Sequence, residues 1–510
     1  MTSSFYVTTP IYYVNDAPHI GHAYTTVAAD VLARYHRRRG FRVHFQTGTD
    51  EHGQKMQRAA EERGVTPREL ADRNARSFQE LWGRMNISYD NFIRTTEPRH
   101  EQGVAALYRQ MAAQGDIYLG EYEDWYCVPD ETYYTELQLV DGKCPMCRRP
   151  VEKVKEESYF FRMSRYQDRL LQYLNQHPEF VQPETRRNEI MSFVAGGLRD
   201  LSISRISFTW GIPVPDNPRH VIYVWLDALA NYLTALGYPD RESEGFRAFW
   251  PSAVHLIGKD ILRHHAVYWP CFLMSVGLPL PKTIFAHGWW THEGRKMSKS
   301  LGNFVNPQVM IDRYGLDPFR YFLLREVPFG GDGDFSEAAL KRRINSELAN
   351  DLGNLLSRVG GMATKYSDGY MARPGPLDRL DQDLRQTAEE TLAQVDHAFA
   401  IFDFYRALDL IWILVNQTNK YVDRSAPWTL AKDPAKKERL GTVLYCAAES
   451  LRLLALLIAP FMPNAAERMW DQLGLPEPIE KQPWSEASRW GALPPGARLH
   501  KGPALFPRLE

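Results

Sequence analysis

Residues 5–14 are rich in Tyr, Thr, Val and Ile and read as a strand, which Asn15-Asp16-Ala17-Pro18 breaks. Apolar positions then recur at helical spacing over 23–39, and a second strand pattern follows at 42–47. Strand, helix and strand in that order predict a parallel sheet that binds ligands at the carboxyl ends of its strands. From 117 to 213 the pattern changes to short aromatic strands, a cysteine cluster and helical pieces, which predicts an inserted domain. The opening style returns with a strand at 254–257, a helix at 261–276 and a strand at 283–286, so the insertion splits the sheet. Beyond 344 strand signals almost vanish, and 348–362, 377–395, 403–422 and 438–458 carry the apolar periodicity of long helices. No internal repeat or low-complexity tract interrupts this order.

Composition narrows the class. A chain of 510 residues, 44% of them hydrophobic, divides by size into about three domains with substantial cores. The first residues lack the basic start and apolar run of a signal peptide, which argues against secretion. The most apolar stretch, 453–462, is about half the length of a membrane span and contains Pro460, so it reads as a buried helix end. Five cysteines are too few for a disulfide framework, and Cys127, Cys144 and Cys147 cluster, which favours a reducing compartment and one metal site. A net charge of -1 means that any polyanionic partner is gripped by local basic patches rather than by the overall field.

Two motifs carry chemistry. His19-Ile20-Gly21-His22 stands where the first strand's loop opens into a helix, so backbone N–H groups and the positive helix end face a phosphate there, with two imidazoles as added donors. Gly21 lacks a side chain that would obstruct an adenine or ribose. Taken alone, the pair fits helix capping or a plain surface equally well. Lys296-Met297-Ser298-Lys299-Ser300 changes the balance, because five specified residues recur by chance in such a chain with a probability on the order of one in several thousand. With Gly294 before it and Leu301-Gly302-Asn303 after it, this loop suits closure over a triphosphate and neutralisation of departing pyrophosphate.

In this order, on either side of an insertion, the two motifs resemble the signatures of class I aminoacyl-tRNA synthetases. Four further blocks sharpen the likeness to the bacterial type of the methionyl-tRNA synthetase family: residues 6–15 (YVTTPIYYVN), 47–53 (TGTDEHG), 224–228 (VWLDA) and 257–260 (IGKD). The resemblance runs from Ser4 to the end of the helical region. It implies an α/β fold: a Rossmann-type parallel sheet split by an inserted connective domain with a zinc knuckle, followed by an all-α anticodon-binding domain. The expected segments are 1–116 and 214–290 for the two halves of the catalytic domain, 117–213 for the insertion, 291–343 for the lysine loop and stem-contact region, and 344–510 for the helical domain.

The resemblance further implies that Asp50 meets the ammonium of L-methionine and that Ile11, Tyr13, Trp225, Tyr232, Ile261 and His265 surround its thioether, with Pro10, Ala228, Leu229 and His264 also in the pocket. Pro10, Leu229 and His264 depart from some relatives. A carboxylate suits an ammonium, aromatic edges suit a polarizable sulfur, and Tyr232 and His265 can offer it weak hydrogen bonds. Taken singly, each aromatic also reads as ordinary core. For ATP, which brings Mg²⁺, the implied residues are His19, Gly21, His22, Gly258, Asp260, Lys296, Ser298 and Lys299, with His19, His22, Lys296 and Lys299 catalytic through alignment and charge neutralisation.

Cys127 and Asp130, then Cys144 and Cys147, have zinc-knuckle spacing around a short hairpin in which Gly142 permits the turn. Relatives often carry cysteine where this chain has Asp130, and a metal-free loop with incidental thiols is the alternative. Asn354 and Arg358 fall four apart on one helix face and Trp428 follows Pro427; by resemblance these read the CAU anticodon of initiator and elongator methionine tRNA, although such residues are commonplace on helical bundles. Lys341-Arg342-Arg343 is a candidate phosphate contact. Leucine, isoleucine and valine enzymes carry an editing insertion for which this chain has no room. A small-molecule nucleotidyltransferase would not need the helical domain, and a non-catalytic RNA-binding protein would not need both motifs intact. Homocysteine, one methyl short of methionine, should be activated weakly, and the family implies its editing to a thiolactone. The expected state is a cytoplasmic monomer with no membrane contact, since the oligonucleotide-binding domain that some relatives use to dimerise is not seen.

Overall fold

The computed structural model describes residues 3–14, 17–130, 132–134, 136–292, 294–297 and 304–510, and only the backbone of 122–124, 133, 137, 154 and 295–296. The chain forms two compact units: Ser4–Ala29 with Val43–Gly288, and Asp30–Arg42 with Trp289–Glu510.

The first unit is built on a six-stranded sheet in the order Asn91–Arg94, Arg42–Asp50, Ser4–Tyr13, Ala253–Gly258, Thr283–His287, Val181–Gln182. Tyr6 pairs with Ala253, Val254 with Thr283, and Gln46 with Asn91, all in parallel. The central strands are buried on both faces, as the continuous burial of Thr283–His287 records, which is why they read as apolar runs rather than alternating ones. From Ser4–Tyr13 the chain moves outward to Arg42–Asp50 on one side, and the returning strand Ala253–Gly258 lies on the other. The order therefore reverses between Ser4–Tyr13 and Ala253–Gly258, and that crevice is where such sheets bind ligands. The insertion supplies an antiparallel four-stranded sheet, Thr132–Tyr134, Ile117–Cys127, Glu152–Phe161 and Leu201–Ser202. Val181–Gln182 lies within the segment read as inserted, yet it completes the edge of the main sheet, pairing with Ile284 and Phe285 because Phe180 and Val181 bury fully against the core.

The helix expected over 261–276 is not a single α-helix. A 3₁₀ turn at Lys259–Ile261 leads to a π-wound stretch at His264–Tyr268 and then to the α-helix Trp269–Ser275. Pro270 has no N–H to return to Ala266, so the regular ladder cannot run through it, and the wider winding turns His264 and His265 inward.

In the second unit a small sheet (Arg295–Lys296, Trp290–His292, Gly333–Phe335) accompanies a helical bundle. Its long helices, Arg379–Ala400, Phe404–Ser425 and Lys437–Ile458, match the apolar periodicity in the sequence. Asp381 joins them by accepting from Tyr421 (2.5 Å) and from Arg439. Arg320 is fully buried, but Asp30 at 2.6 Å and the carbonyls of Pro460 and Phe461 accept from it, so the buried charge is compensated. Among the described residues one helical span, Pro434–Ile458, is long and apolar enough to cross a membrane, and 94% of its apolar window is buried inside the protein.

Candidate active site

The helix Ile20–Arg38 begins at the end of the loop that leaves the first strand, which brings His19 and His22 to the crevice. Their rings stack at 3.7 Å. The His22 Nδ1 accepts from the His19 backbone N–H (3.2 Å), and the His19 Nδ1 accepts from the Gly21 N–H (3.0 Å). Each neutral ring then carries its proton on Nε2. Burial, with the nearby His19 and Lys55, holds the His22 imidazole well below its ordinary pKa, so it acts as a neutral donor rather than as a cation. A Cβ on Gly21 would lie 2.8 Å from the His19 ring. The glycine therefore makes room for the histidine itself, a reason the sequence did not suggest.

Across the crevice, Gly258 ends its strand and Asp260 stands exposed beyond it. A Cβ on Gly258 would approach the Asp260 carboxylate to 2.5 Å, so the glycine allows that carboxylate to fold back over the strand end. Ser298 and Lys299 lie outside the described residues, as does the side chain of Lys296.

The expected methionine residues come from four elements. Pro10, Ile11 and Tyr13 end the first strand, and Asp50 ends the second. The Val14 N–H donates to the Asp50 carbonyl (3.3 Å), tying the two strand ends together. Trp225, Ala228, Leu229 and Tyr232 recur at i, i+3, i+4 and i+7 along the helix Val224–Thr234, and so lie on one face. Ile261, His264 and His265 come from the turn after Gly258. The His264 ring stacks on Trp225 at 3.7 Å, and His265 meets Trp225 edge-on at 6.1 Å.

Several polar atoms of these residues are buried with no hydrogen-bond partner among the described residues: Asp50 Oδ1, the Tyr13 hydroxyl, Trp225 Nε1 and both ring nitrogens of His264. Unsatisfied buried polar atoms are costly, and those of the expected pocket are open to a ligand's polar groups. Asp50 is 5% exposed, and burial, followed by the charge of Asp227, holds its carboxyl well above the usual carboxylate range. The sulfur contact needs correction. His265 Nδ1–H donates to the Ile261 carbonyl (3.0 Å), and the Tyr232 hydroxyl donates to His265 Nε2 (2.8 Å). Burial pushes His265 down to about 4, so no third proton is available, and the expected donation from these two groups to the sulfur is already spent within the protein.

Sequence reasoning missed the surroundings of Asp50. Lys55 sits over the Tyr13 ring at 4.8 Å, and His52 and His100 both reach Asp227 at 2.7 Å. His52 and Asp227 stood inside recognised blocks, but nothing in the spacing of residues 52, 100 and 227 links them.

Cys127, Asp130, Cys144 and Cys147 come together, with their ligand atoms all within 4.8 Å of one another. Cys144 Sγ lies 2.9 Å from Asp130 Oδ2, Cys127 Sγ lies 3.5 Å from Cys147 Sγ, and the N–H groups of Met146 and Cys147 point at Cys144 Sγ. Burial raises the thiols of Cys127 and Cys147, the latter to about 11, so a cation would be needed to hold them as thiolates.

In the second unit, Asn354 opens the helix Asn354–Ser367 and is exposed; Arg358, one turn on, pairs with Asp423 at 2.5 Å; and Trp428 is 40% exposed on the short helix Pro427–Leu430.

Comparison with known proteins gives the family. The family of class I tRNA synthetases (M) matches residues 5–156 and 149–360, and the anticodon-binding domain of tRNA ligases matches 381–496. The methionine-tRNA ligase of Caldanaerobacter subterraneus is 55% identical over 510 residues, covering 100% of this chain and 80% of that protein. The Bacillus subtilis methionine-tRNA ligase is 51% identical over 521 residues, covering 100% and 78%. The Mycobacterium tuberculosis methionyl-tRNA synthetase in complex with methionyl-adenylate superposes with a TM-score of 0.96 at 47% identity, covering 99% of this chain and 100% of that one. With its parallel-sheet catalytic core and its helical anticodon-binding region, this chain belongs to the methionyl-tRNA synthetase family of class I aminoacyl-tRNA synthetases.

Proposed function

We propose that this enzyme activates L-methionine with ATP to methionyl-adenylate and transfers the methionyl group to the terminal adenosine of initiator and elongator methionine tRNA, as a cytoplasmic monomer. The observation that carries the reading is the buried Asp50 Oδ1, which has no hydrogen-bond partner among the described residues. A carboxylate held that way is suited to an ammonium, and the aromatic groups of Tyr13, Trp225 and Tyr232 offer the adjoining thioether polarizable contacts.

In the first step the methionine carboxylate forms a bond to the α-phosphorus of Mg²⁺-bound ATP as the bond to the β-phosphate oxygen breaks, and pyrophosphate leaves. His19 and His22 donate from Nε2 toward phosphate oxygens beside the helix start, and Lys296, Ser298 and Lys299 neutralise the departing charge. Asp260 accepts from a ribose hydroxyl. In the second step a ribose hydroxyl of the tRNA attacks the adenylate carbonyl, and AMP leaves with the electron pair. Asn354, Arg358 and Trp428 read the anticodon, the indole by stacking and the others at base edges. The segments 1–116 and 214–290 serve as the catalytic halves, 117–213 as the connective insertion, 291–343 as the lysine-loop region and 344–510 as the anticodon domain. Cys127, Asp130, Cys144 and Cys147 hold one structural Zn²⁺, since three thiolates and a carboxylate suit a tetrahedral borderline-soft ion.

ATP–pyrophosphate exchange with each of the twenty amino acids and homocysteine tests this reading. Strong exchange with methionine and weaker exchange with homocysteine is the expected result. Exchange driven by a different amino acid, or none at all, overturns the reading. A light-scattering mass near twice the chain mass overturns the monomer.

A further inference from the structure

Asp227 stands in the first turn of the helix Val224–Thr234 and is 1% exposed, yet both its oxygens are engaged by histidines from other elements. Oδ2 lies 2.7 Å from His52 Nδ1, and Oδ1 lies 2.7 Å from His100 Nε2. The other nitrogen of His100 meets the Thr234 hydroxyl at 2.8 Å, so one imidazole grips the helix at both ends. The helix Pro98–Ala113, which carries His100, also approaches at Gly103, where a Cβ would fall 2.3 Å from the Thr234 methyl. His52 comes two residues after Asp50. Its segment is clamped in turn by Trp210, whose Nε1–H donates to the Glu51 carbonyl (2.5 Å) and whose own carbonyl accepts from the Gly53 N–H (3.0 Å).

The His52–Asp227 bond thus joins the segment following Asp50 to the helix that presents Trp225, Ala228, Leu229 and Tyr232. We propose that Asp227, held between His52 and His100, is a positioning residue that fixes the separation between the ammonium-binding and thioether-binding walls of the methionine pocket. Burying a carboxylate and two imidazoles is a costly way to join two helices, and apolar residues of similar volume serve adhesion as well or better. What charged hydrogen bonds add is a fixed length and direction, which a pocket selecting one side chain requires. The charge also bears on function, since Asp227 is among the groups that raise the carboxyl of Asp50, while His52 is held above its ordinary value by Asp227 despite its burial.

This inference rests on the assignment of Asp50 to the methionine ammonium, and exchange by the Asp50→Ala variant tests that assignment separately. The deciding experiment measures pyrophosphate exchange by Asp227→Asn, with KM determined for methionine and for ATP and the melting temperature recorded. Loss of a charged hydrogen bond that sets pocket geometry should raise the methionine KM by about ten-fold or more, while kcat and the ATP KM stay within about two-fold. A methionine KM within about two-fold of wild type, or methionine and ATP constants that rise together with a falling melting temperature, overturns the proposal. If Asp227→Asn does not fold, His52→Asn decides the matter, because it leaves the Asp227–His100 grip in place: a rise of several-fold confined to the methionine KM is expected, and an unchanged KM overturns the proposal.

Discussion

The proposed methionine pocket and the exposed residues proposed to read the anticodon solve opposite problems with similar residues. In the proposed pocket, Asp50 and His264 are buried, Tyr13 and Trp225 are partly buried, and each keeps a buried polar atom with no partner among the described residues, a standing cost that a bound substrate would relieve. In the helical region, Asn354 and Trp428 are exposed, and the charge of Arg358 is already met by Asp423. A small ligand has few atoms with which to generate affinity, so its site must be built in advance. An RNA anticodon brings whole bases, and a stacking platform with solvent-tolerant donors suffices.

The largest test of this contrast is Asp50→Ala. Removing the partner of a desolvated ammonium should cost about 3–5 kcal/mol, or two to four orders of magnitude in kcat/KM for methionine, measured by pyrophosphate exchange. Trp428→Ala should cost about 1–3 kcal/mol in kcat/KM for tRNA in the aminoacylation assay and leave exchange untouched, because stacking on one base is all that is lost. A defect in exchange would erase the distinction between the two regions. Cys144→Ser should remove about one metal ion per chain by elemental analysis and open the hairpin around it to protease, with exchange largely retained. Asp423→Asn should change stability by only about 0–1 kcal/mol in thermal or denaturant unfolding, since the pair it breaks is substantially exposed.

Sequence patterns were legible where they were local. The strand at 283–286, the helices at 379–400, 404–425 and 437–458 and the four candidate metal ligands appear close to where periodicity and spacing put them, because each depends on neighbours a few residues away, whereas the helix expected over 348–362 is π-wound to Gly353 and α-helical only from Asn354. The proposed pocket residues rest on resemblance alone. No periodicity marks Trp225 or His265 as binding rather than packing, and the π-wound turn that holds His264 and His265 follows from the N–H that Pro270 lacks, which apolar spacing does not register. The bonds of Asp227 to His52 and His100 span 175 and 127 residues, and the proton of Tyr232 is committed to a histidine 33 residues away. Such pairings depend on how the sheet's crossovers stack, which spacing along the chain does not encode.

The protonation of Asp50 tests the account most directly. Its carboxyl is held well above the usual range in the free enzyme by burial and by Asp227, whereas an ammonium beside it demands the carboxylate. Methionine must therefore expel a proton as it binds, and its affinity must rise with pH, by up to about ten-fold per unit, until Asp50 ionises in the free enzyme and the curve levels off. Titration calorimetry of methionine between about pH 5.5 and 8, in buffers of differing ionisation enthalpy, reads both quantities. The account predicts proton release and tighter binding at higher pH, both lost in Asp50→Asn; binding with no proton release and no pH dependence would contradict it.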